Sequence, residues 1–119
     1  MSVPNLVIHP SSIVETNQIG ENTRVWAFVH ILEGAKIGKE CNICDHVFIE
    51  NFVIVGDFST VKSGVFIWDG VTIEDHVFVG PNVSFTNDIY PRSKARLQKY
   101  PQTRIKKGAS IGAGSVLIA

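Results

Sequence analysis

The sequence is poor in several residue types. It holds two cysteines, one methionine and four histidines in 119 residues, and only 18% of its side chains are charged. Two cysteines make no disulfide scaffold, and their scarcity fits a reducing cytoplasm. No apolar run approaches the ~20 residues a membrane helix needs. The start, M-S-V-P-N-L-V-I-H-P, lacks a basic n-region and a long apolar h-region, which predicts no signal peptide. At 45% the hydrophobic fraction is too high for intrinsic disorder. Residues 91–119 lack acids altogether. They carry Arg92, Lys94, Arg96, Lys99, Arg104, Lys106 and Lys107, for +7, whereas residues 1–90 hold all eleven acids against four bases, for −7. Such a segregated basic stretch gathers anionic ligands, or matches a neighbouring acidic subunit. It contains one aromatic, Tyr100, where a nucleic-acid stacking platform needs several, so no nucleic-acid partner is expected.

What the sequence has in plenty is branched apolar residues at a fixed interval. Stepping by six from Val7 to Phe85 meets fourteen consecutive apolar residues, thirteen of them β-branched. Four places after each stands a residue that is mostly small or β-branched. Period six suits neither an α-helix nor a hairpin meander; it suits short strands joined by tight turns, each pointing one branched side chain inward. The pattern resembles the hexapeptide repeat of the left-handed parallel β-helix, over Val7 to Ala119. That resemblance implies three hexapeptides per triangular coil, with Val7, Val25, Ile43, Val61 and Val79 in one inward column. The register breaks once. P-R-S-K-A-R-L-Q-K-Y-P-Q-T-R follows Tyr90, and Ile105, Ile111 and Leu117 then resume the six-step. Residues 91–104 are therefore expected to leave the coil as an excursion loop, of the kind that is usually functional or disordered. The expectation is one all-β domain over 1–119, of about five and a half coils. It stops mid-repeat at Ala119 without a cap, which predicts truncation at the C-terminus relative to longer relatives.

Some residues first suggest metal chemistry. C-N-I-C-D-H at 41–46 contains a C-x-x-C pair, but Cys41 falls in the small inward slot while Ile37, Ile43 and Ile49 run on undisturbed. Core packing accounts for it better than zinc. The left-handed β-helix also hosts gamma-class carbonic anhydrases, whose zinc site uses closely spaced histidines. Here the nearest pair, His30 and His46, lies sixteen apart, and no metal is expected.

The segment 67–94 is more informative. Its W-D-G, E-D-x-V-F-V-G-P-N and F-T-N-D-x-Y-P-R-S pieces, with C-N-I-C-D-H-V-F-I-E-N at 41–51, resemble the nucleotide-sugar N-acetyltransferases of bacterial surface-polysaccharide pathways. The nearest subgroup is the 3-amino-sugar acetyltransferases, which are related to the acetyltransferase half of bifunctional acetyltransferase/ketoisomerase proteins. An eighteen-residue stack aligns Glu33, Asn51, Asp69 and Asn87 in one outward column, beside Glu50, Trp68 and Thr86 in the adjacent slot. Carboxylates and amides beside an aromatic face suit a sugar, through hydrogen bonds to hydroxyls and stacking on the ring. Asparagine and aspartate also simply favour turns.

The resemblance implies acetyl transfer from acetyl-CoA to the amine of a nucleotide-linked amino-deoxy sugar, in lipopolysaccharide-type biosynthesis, by a cytoplasmic homotrimer. Asn87 would hold the amine or the carbonyl. Many relatives carry a histidine just before the F-x-N-D segment; this chain reads G-P-N there, which implies direct attack or a base from elsewhere, with His46 the candidate. Asn51, Trp68, Asp69, Asp88, Tyr90, Arg92 and Lys94 are the implied substrate-binding residues, and Arg92, Lys94 and Arg96 could meet the diphosphate. Lys106 and Lys107 would meet CoA phosphates, with the pantetheine arm near Gly112, Ala113 and Ser115. The six phenylalanines Phe28, Phe48, Phe52, Phe58, Phe66 and Phe78 fall in outward or corner slots, which calls for an interface to cover them. The competing expectation is an inactive β-helix that binds or scaffolds without the coils that hold acetyl-CoA.

Overall fold

The computed structural model describes residues 3–119. They hold sixteen strands of two or three residues and no helix, so no helix is long and apolar enough to cross a membrane. Every strand pairing is parallel, and the strands form three sheets of six, six and four. An isolated bridge between Ile19 and Ile37 extends the third sheet. The chain visits the three faces in rotation, giving an all-strand, three-sided parallel coil, consistent with the left-handed β-helix that the repeat predicts. The first face runs from Val7–Ile8 through Asn42–Ile43 to Ser110–Ile111, the second from Ile13–Val14 through Phe48–Ile49 to Val116–Leu117, and the third from Lys36–Ile37 to Thr103–Ile105.

The physical basis is the alternation within each hexapeptide. Each two-residue strand turns one side chain out and one in, and the inward one is almost always isoleucine or valine. Ile31, Ile43, Ile49, Ile67 and Ile73 have no exposed surface, and each such burial stabilises by about 1.5–3 kcal/mol over exposure. The second inward column is smaller: Val29, Ala35, Cys41, Val47, Val53 and their equivalents. Cys41 packs there as expected, its thiol hydrogen held by the Gly56 carbonyl at 3.1 Å and its ionisation disfavoured by burial.

Each corner turns on the third residue after the inward branched one, in left-handed backbone. These positions include Phe28, Glu40, His46, Phe52, Phe58, His76 and Asn82, with φ between 56° and 62°. That conformation costs roughly 1–2 kcal/mol for a residue with a Cβ, and stacking on the next coil offsets part of it. Phe28 stacks on His46 at 5.2 Å, and Phe58 on His76 at 4.9 Å.

The turns are also clipped from coil to coil. The Oδ1 of Asp45 accepts the Ala27 N–H at 3.1 Å, Asp57 that of Lys39 at 3.0 Å, and Asp75 that of Asp57 at 2.8 Å. Gly38 and Gly56 leave the space these carboxylates fill; a Cβ at either would collide with the aspartate of the next coil.

Two departures from strict period six are resolved. The first coil is one residue short. Val7 pairs with Arg24 and Ile8 with Val25; Ile13 pairs with His30 and Val14 with Ile31. Val7 and Ile13 therefore point outward, 47% and 59% exposed, and Ile8, not Val7, heads the column above Val25. The six-step ran through them because V-I and I-V doublets are apolar at both places. The second departure matches expectation. Ile105 pairs with Ile73 and Leu117 with Phe85, thirty-two residues on, or one coil plus fourteen. Those fourteen residues are the excursion.

Candidate functional site

The corner between the second and third faces differs from the other two. Ile49, Ile67 and Phe85 point inward in successive coils, so the two residues after each form paired outward columns: Glu50 and Asn51, Trp68 and Asp69, Thr86 and Asn87. Asn51 behaves like the clip residues, its Oδ1 taking the Gly34 N–H at 2.7 Å. Asp69 and Asn87 do not. The Asp69 N–H, which Asn87 would hold by the clip pattern, is taken by Glu50 Oε1 at 2.9 Å, and the Asp69 carboxylate has no hydrogen bond among the described residues. Asn87 turns its Nδ2 to the Asp69 carbonyl at 3.1 Å, which leaves its Oδ1 and second amide proton for a ligand. Glu50, Asp69 and Asn87 thus form a ladder across three coils.

Trp68 is half-buried and rigidly held. Its indole N–H donates to the Phe85 carbonyl at 2.8 Å, and the rings of Phe48 and Phe66 lie 5.9 and 6.0 Å away. Clefts open on both sides of it. One, of about 320 Å³, runs over Phe66, Ser84 and Asn82. The other, of about 370 Å³, is lined by Glu50, Trp68, Asp69, Asn87, Arg96 and Tyr100.

The last two residues come from the excursion loop, which leaves and returns at this corner. At its exit the Asp88 carboxylate accepts the Tyr90 N–H at 2.9 Å. At its return Thr103 pairs with Val71 and donates its N–H to the Gly70 carbonyl at 2.8 Å. Beyond that, Glu74 secures the resumed coil. One of its oxygens accepts the Lys107 N–H at 2.9 Å and the other the Arg104 guanidinium at 3.0 Å. The Lys107 backbone bond, then Arg104, hold its carboxyl below the usual glutamate range.

Of the residues implied by resemblance, this cleft brings together Trp68, Asp69 and Asn87. Asn51 serves its turn and Asp88 the start of the loop. Tyr90 is 76% exposed, Arg92 donates to the Pro91 carbonyl at 2.8 Å, and Lys94 takes a left-handed loop position; none of the three lines the cleft. His46 sits on the first corner, stacked on Phe28, and within one subunit does not meet Asn87. Lys106 and Lys107 lie at the third corner of the last coil, and Gly112, Ala113 and Ser115 at its first corner. The strand Ser110–Ile111 runs between them. Ser115 Oγ donates to the Gly112 carbonyl at 2.8 Å. Sequence reasoning set Glu50 beside Trp68 by its eighteen-residue spacing but gave it no role. It grouped Arg96 with its neighbours by charge alone and had no signal that Tyr100 faces the cleft.

The arrangement suits one kind of ligand. Two carboxylates and an amide can hold an amine or hydroxyls, an aromatic ring can cover an apolar sugar face, and a guanidinium can meet an anionic group.

Over 112 residues the chain is 64% identical to a dTDP-3-amino-3,6-dideoxy-alpha-D-galactopyranose 3-N-acetyltransferase of Aneurinibacillus thermoaerophilus, across 94% of this chain and 58% of that relative. It is 27% identical over 129 aligned positions to the bifunctional protein GlmU of Acinetobacter baumannii (strain AYE), covering 89% of this chain and 25% of that protein. An acyl-[acyl-carrier-protein]–UDP-N-acetylglucosamine O-acyltransferase of Brucella ovis matches at 36% over 50 residues, covering 41% and 18%. The chain thus spans little more than half the length of the first relative and far less of the other two. Residues 18–51 match the bacterial transferase hexapeptide (six repeats) family, and they lie within the three-sided coil.

Proposed function

We propose that the protein is an acetyl-CoA-dependent N-acetyltransferase for the amine of a nucleotide-linked amino-deoxy sugar, and that the second-corner cleft holds the sugar. The observation that carries this is the pair Asp69 and Asn87, released from turn duty beside Trp68, in a chain 64% identical to an acetyltransferase of that substrate class.

In the reaction the sugar amine attacks the thioester carbonyl. A C–N bond forms, the C–S bond breaks, the CoA sulfur leaves as thiol and the nitrogen gives up one proton. A model amino group has a pKa near about 8, so a useful fraction is neutral at cellular pH and orientation supplies much of the acceleration. Asn87 Oδ1 accepts an amine N–H and points the lone pair at the carbonyl carbon, while Asp69 and Glu50 keep the amine in place. On the donor side, Lys106 and Lys107 pair with CoA phosphates, and the backbone at Gly112, Ala113 and Ser115 lies against the pantetheine arm.

A homotrimer is part of the proposal. Phe52 is 73% and Phe28 61% exposed, and Phe66 and Phe78 are exposed as well, so apolar surface of this extent calls for a partner. A threefold neighbour does not change the height of His46, which lies about two coils, roughly 10 Å along the axis, from Asn87, so the reading favoured is direct attack by the amine. The setting is cytoplasmic synthesis of surface polysaccharide.

Incubation with dTDP-3-amino-3,6-dideoxy-α-D-galactopyranose and acetyl-CoA, following free thiol, tests the activity. Thiol release that requires both reactants is expected. Absence of turnover together with no calorimetric binding of either reactant overturns it.

A further inference from the structure

Eleven consecutive residues, Ile89 to Lys99, are exposed as the chain leaves the coil, and Tyr100 is the first to regain cover. It does so because the returning strand is seated in a notch at Gly70. Gly70 is buried with φ +101°, and a Cβ there would lie 2.9 Å from the Pro101 carbonyl oxygen and 3.7 Å from the Tyr100 Cβ. Only glycine permits both that backbone angle and that approach. The Thr103 N–H bond to Gly70 and the Gln102 Nε2 bond to the Tyr100 carbonyl at 3.1 Å complete the seat. Position 70 immediately follows Trp68 and Asp69, so a loop docked there overhangs the cleft that they line.

The charge pattern within the cleft is equally specific. Of the loop's five cations, Arg96 alone lines it, and the other charged groups there are Glu50 and Asp69. A ligand matched to the cleft therefore carries a cationic or hydrogen-donating end towards the coil and an anionic end towards the loop. An amino-sugar diphosphate has that polarity.

We propose that Tyr100 and Arg96 are substrate-contacting, specificity-determining residues, with Gly70 the positioning residue that seats them. The Tyr100 ring covers the sugar in the cleft it shares with Trp68, and Arg96 pairs with the diphosphate. The proposal rests on the sugar-binding reading above and adds which loop residues recognise which part of the substrate.

Calorimetry on the full chain separates the parts, with dTDP alone and the dTDP-linked 3-amino sugar as probes. Arg96→Ala is expected to weaken both probes by about tenfold or more, since a charge-assisted contact to phosphate is lost. Tyr100→Ala is expected to weaken the sugar nucleotide by roughly three- to tenfold while leaving dTDP unchanged. Gly70→Ala should weaken both. Lys99→Ala removes one charge from the same exposed loop and serves as the control, with no change beyond twofold. Arg96 and Tyr100 variants that bind like the wild type overturn the assignment while the sugar-binding reading stands. A Lys99→Ala loss equal to that of Arg96→Ala also overturns it, by reducing the effect to general attraction. A wild-type protein that binds neither probe removes the parent reading as well.

Discussion

Two sets of corner residues, nearly identical in chemical type, have opposite fates. Asp45, Asp57 and Asp75, two places after an inward residue, each hold a backbone N–H of the coil before. Asp69 occupies the same place in its hexapeptide and holds none; its own N–H, which Asn87 would hold by the same pattern, is taken by Glu50, and Asn87 turns its amide to donate to the Asp69 carbonyl. An acid in a turn is structural when it satisfies a backbone donor, because leaving that donor unpaired would cost about 1–3 kcal/mol. Asn87 is spared that work because Glu50 already does it, and the Asp69 carboxylate holds no backbone N–H among the described residues. The same hexapeptide chemistry thus yields a scaffold at two corners and a cleft at the third, and the loop returns over the corner whose side chains were released.

The contrast is sharpest at Asn87. Asn87→Ala should reduce turnover by roughly 10²-fold with little change in melting temperature, as for a residue that contacts the reacting group. A steady-state thiol assay checks it, and an unchanged kcat removes Asn87 from the chemistry. Next in size, Asp75→Ala should lower stability by about 1–2 kcal/mol with normal turnover, and Asp75→Asn, which keeps an acceptor oxygen, should recover most of it. Asp69→Ala should do the reverse, raising the Michaelis constant for the sugar nucleotide while the thermal midpoint holds. If both aspartates behave alike in thermal melts and in kinetics, the distinction between clip and ligand group fails.

The smallest effect concerns Glu74, which secures the coil after the loop. Its carboxyl is held below the ordinary range by Lys107 and Arg104. The ionised form is therefore favoured in the folded state. Its stabilisation is present in full above the unfolded pKa and is lost as pH falls through the lowered folded value. Melting temperature followed downward through the acidic range should fall less steeply in Glu74→Gln than in the wild type. Parallel curves for the two proteins would assign the latch no electrostatic role. The carboxylate is partly exposed to solvent, so the difference should be modest.

The coil was legible in advance because inward isoleucine and valine at every sixth place admit few other structures, and the fourteen-residue excursion because it shifts their phase. The short first coil was not. Val7-Ile8 and Ile13-Val14 are apolar at both positions, so period alone cannot say which residue faces in, and the pairing with Arg24 and His30 decides it. The site was legible in part. Trp68, Asp69 and Asn87 followed from stacking equivalent places. Arg92 and Lys94 were drawn in by charge, and nothing along the chain distinguishes them from Arg96.

Periodicity by itself determined short strands with one branched side chain inward in each hexapeptide and the place where the chain leaves that register, because burial of branched residues repeats with the backbone; the three-sided parallel coil followed from the resemblance those repeats carry. Which acids clip turns, which corner leaves polar groups without a backbone partner, and which loop side chains reach back over it were decided only in three dimensions. Those outcomes depend on hydrogen bonds and close approaches between residues one or more coils apart, such as Glu50 with Asp69 and Gly70 with Pro101, which local sequence does not encode.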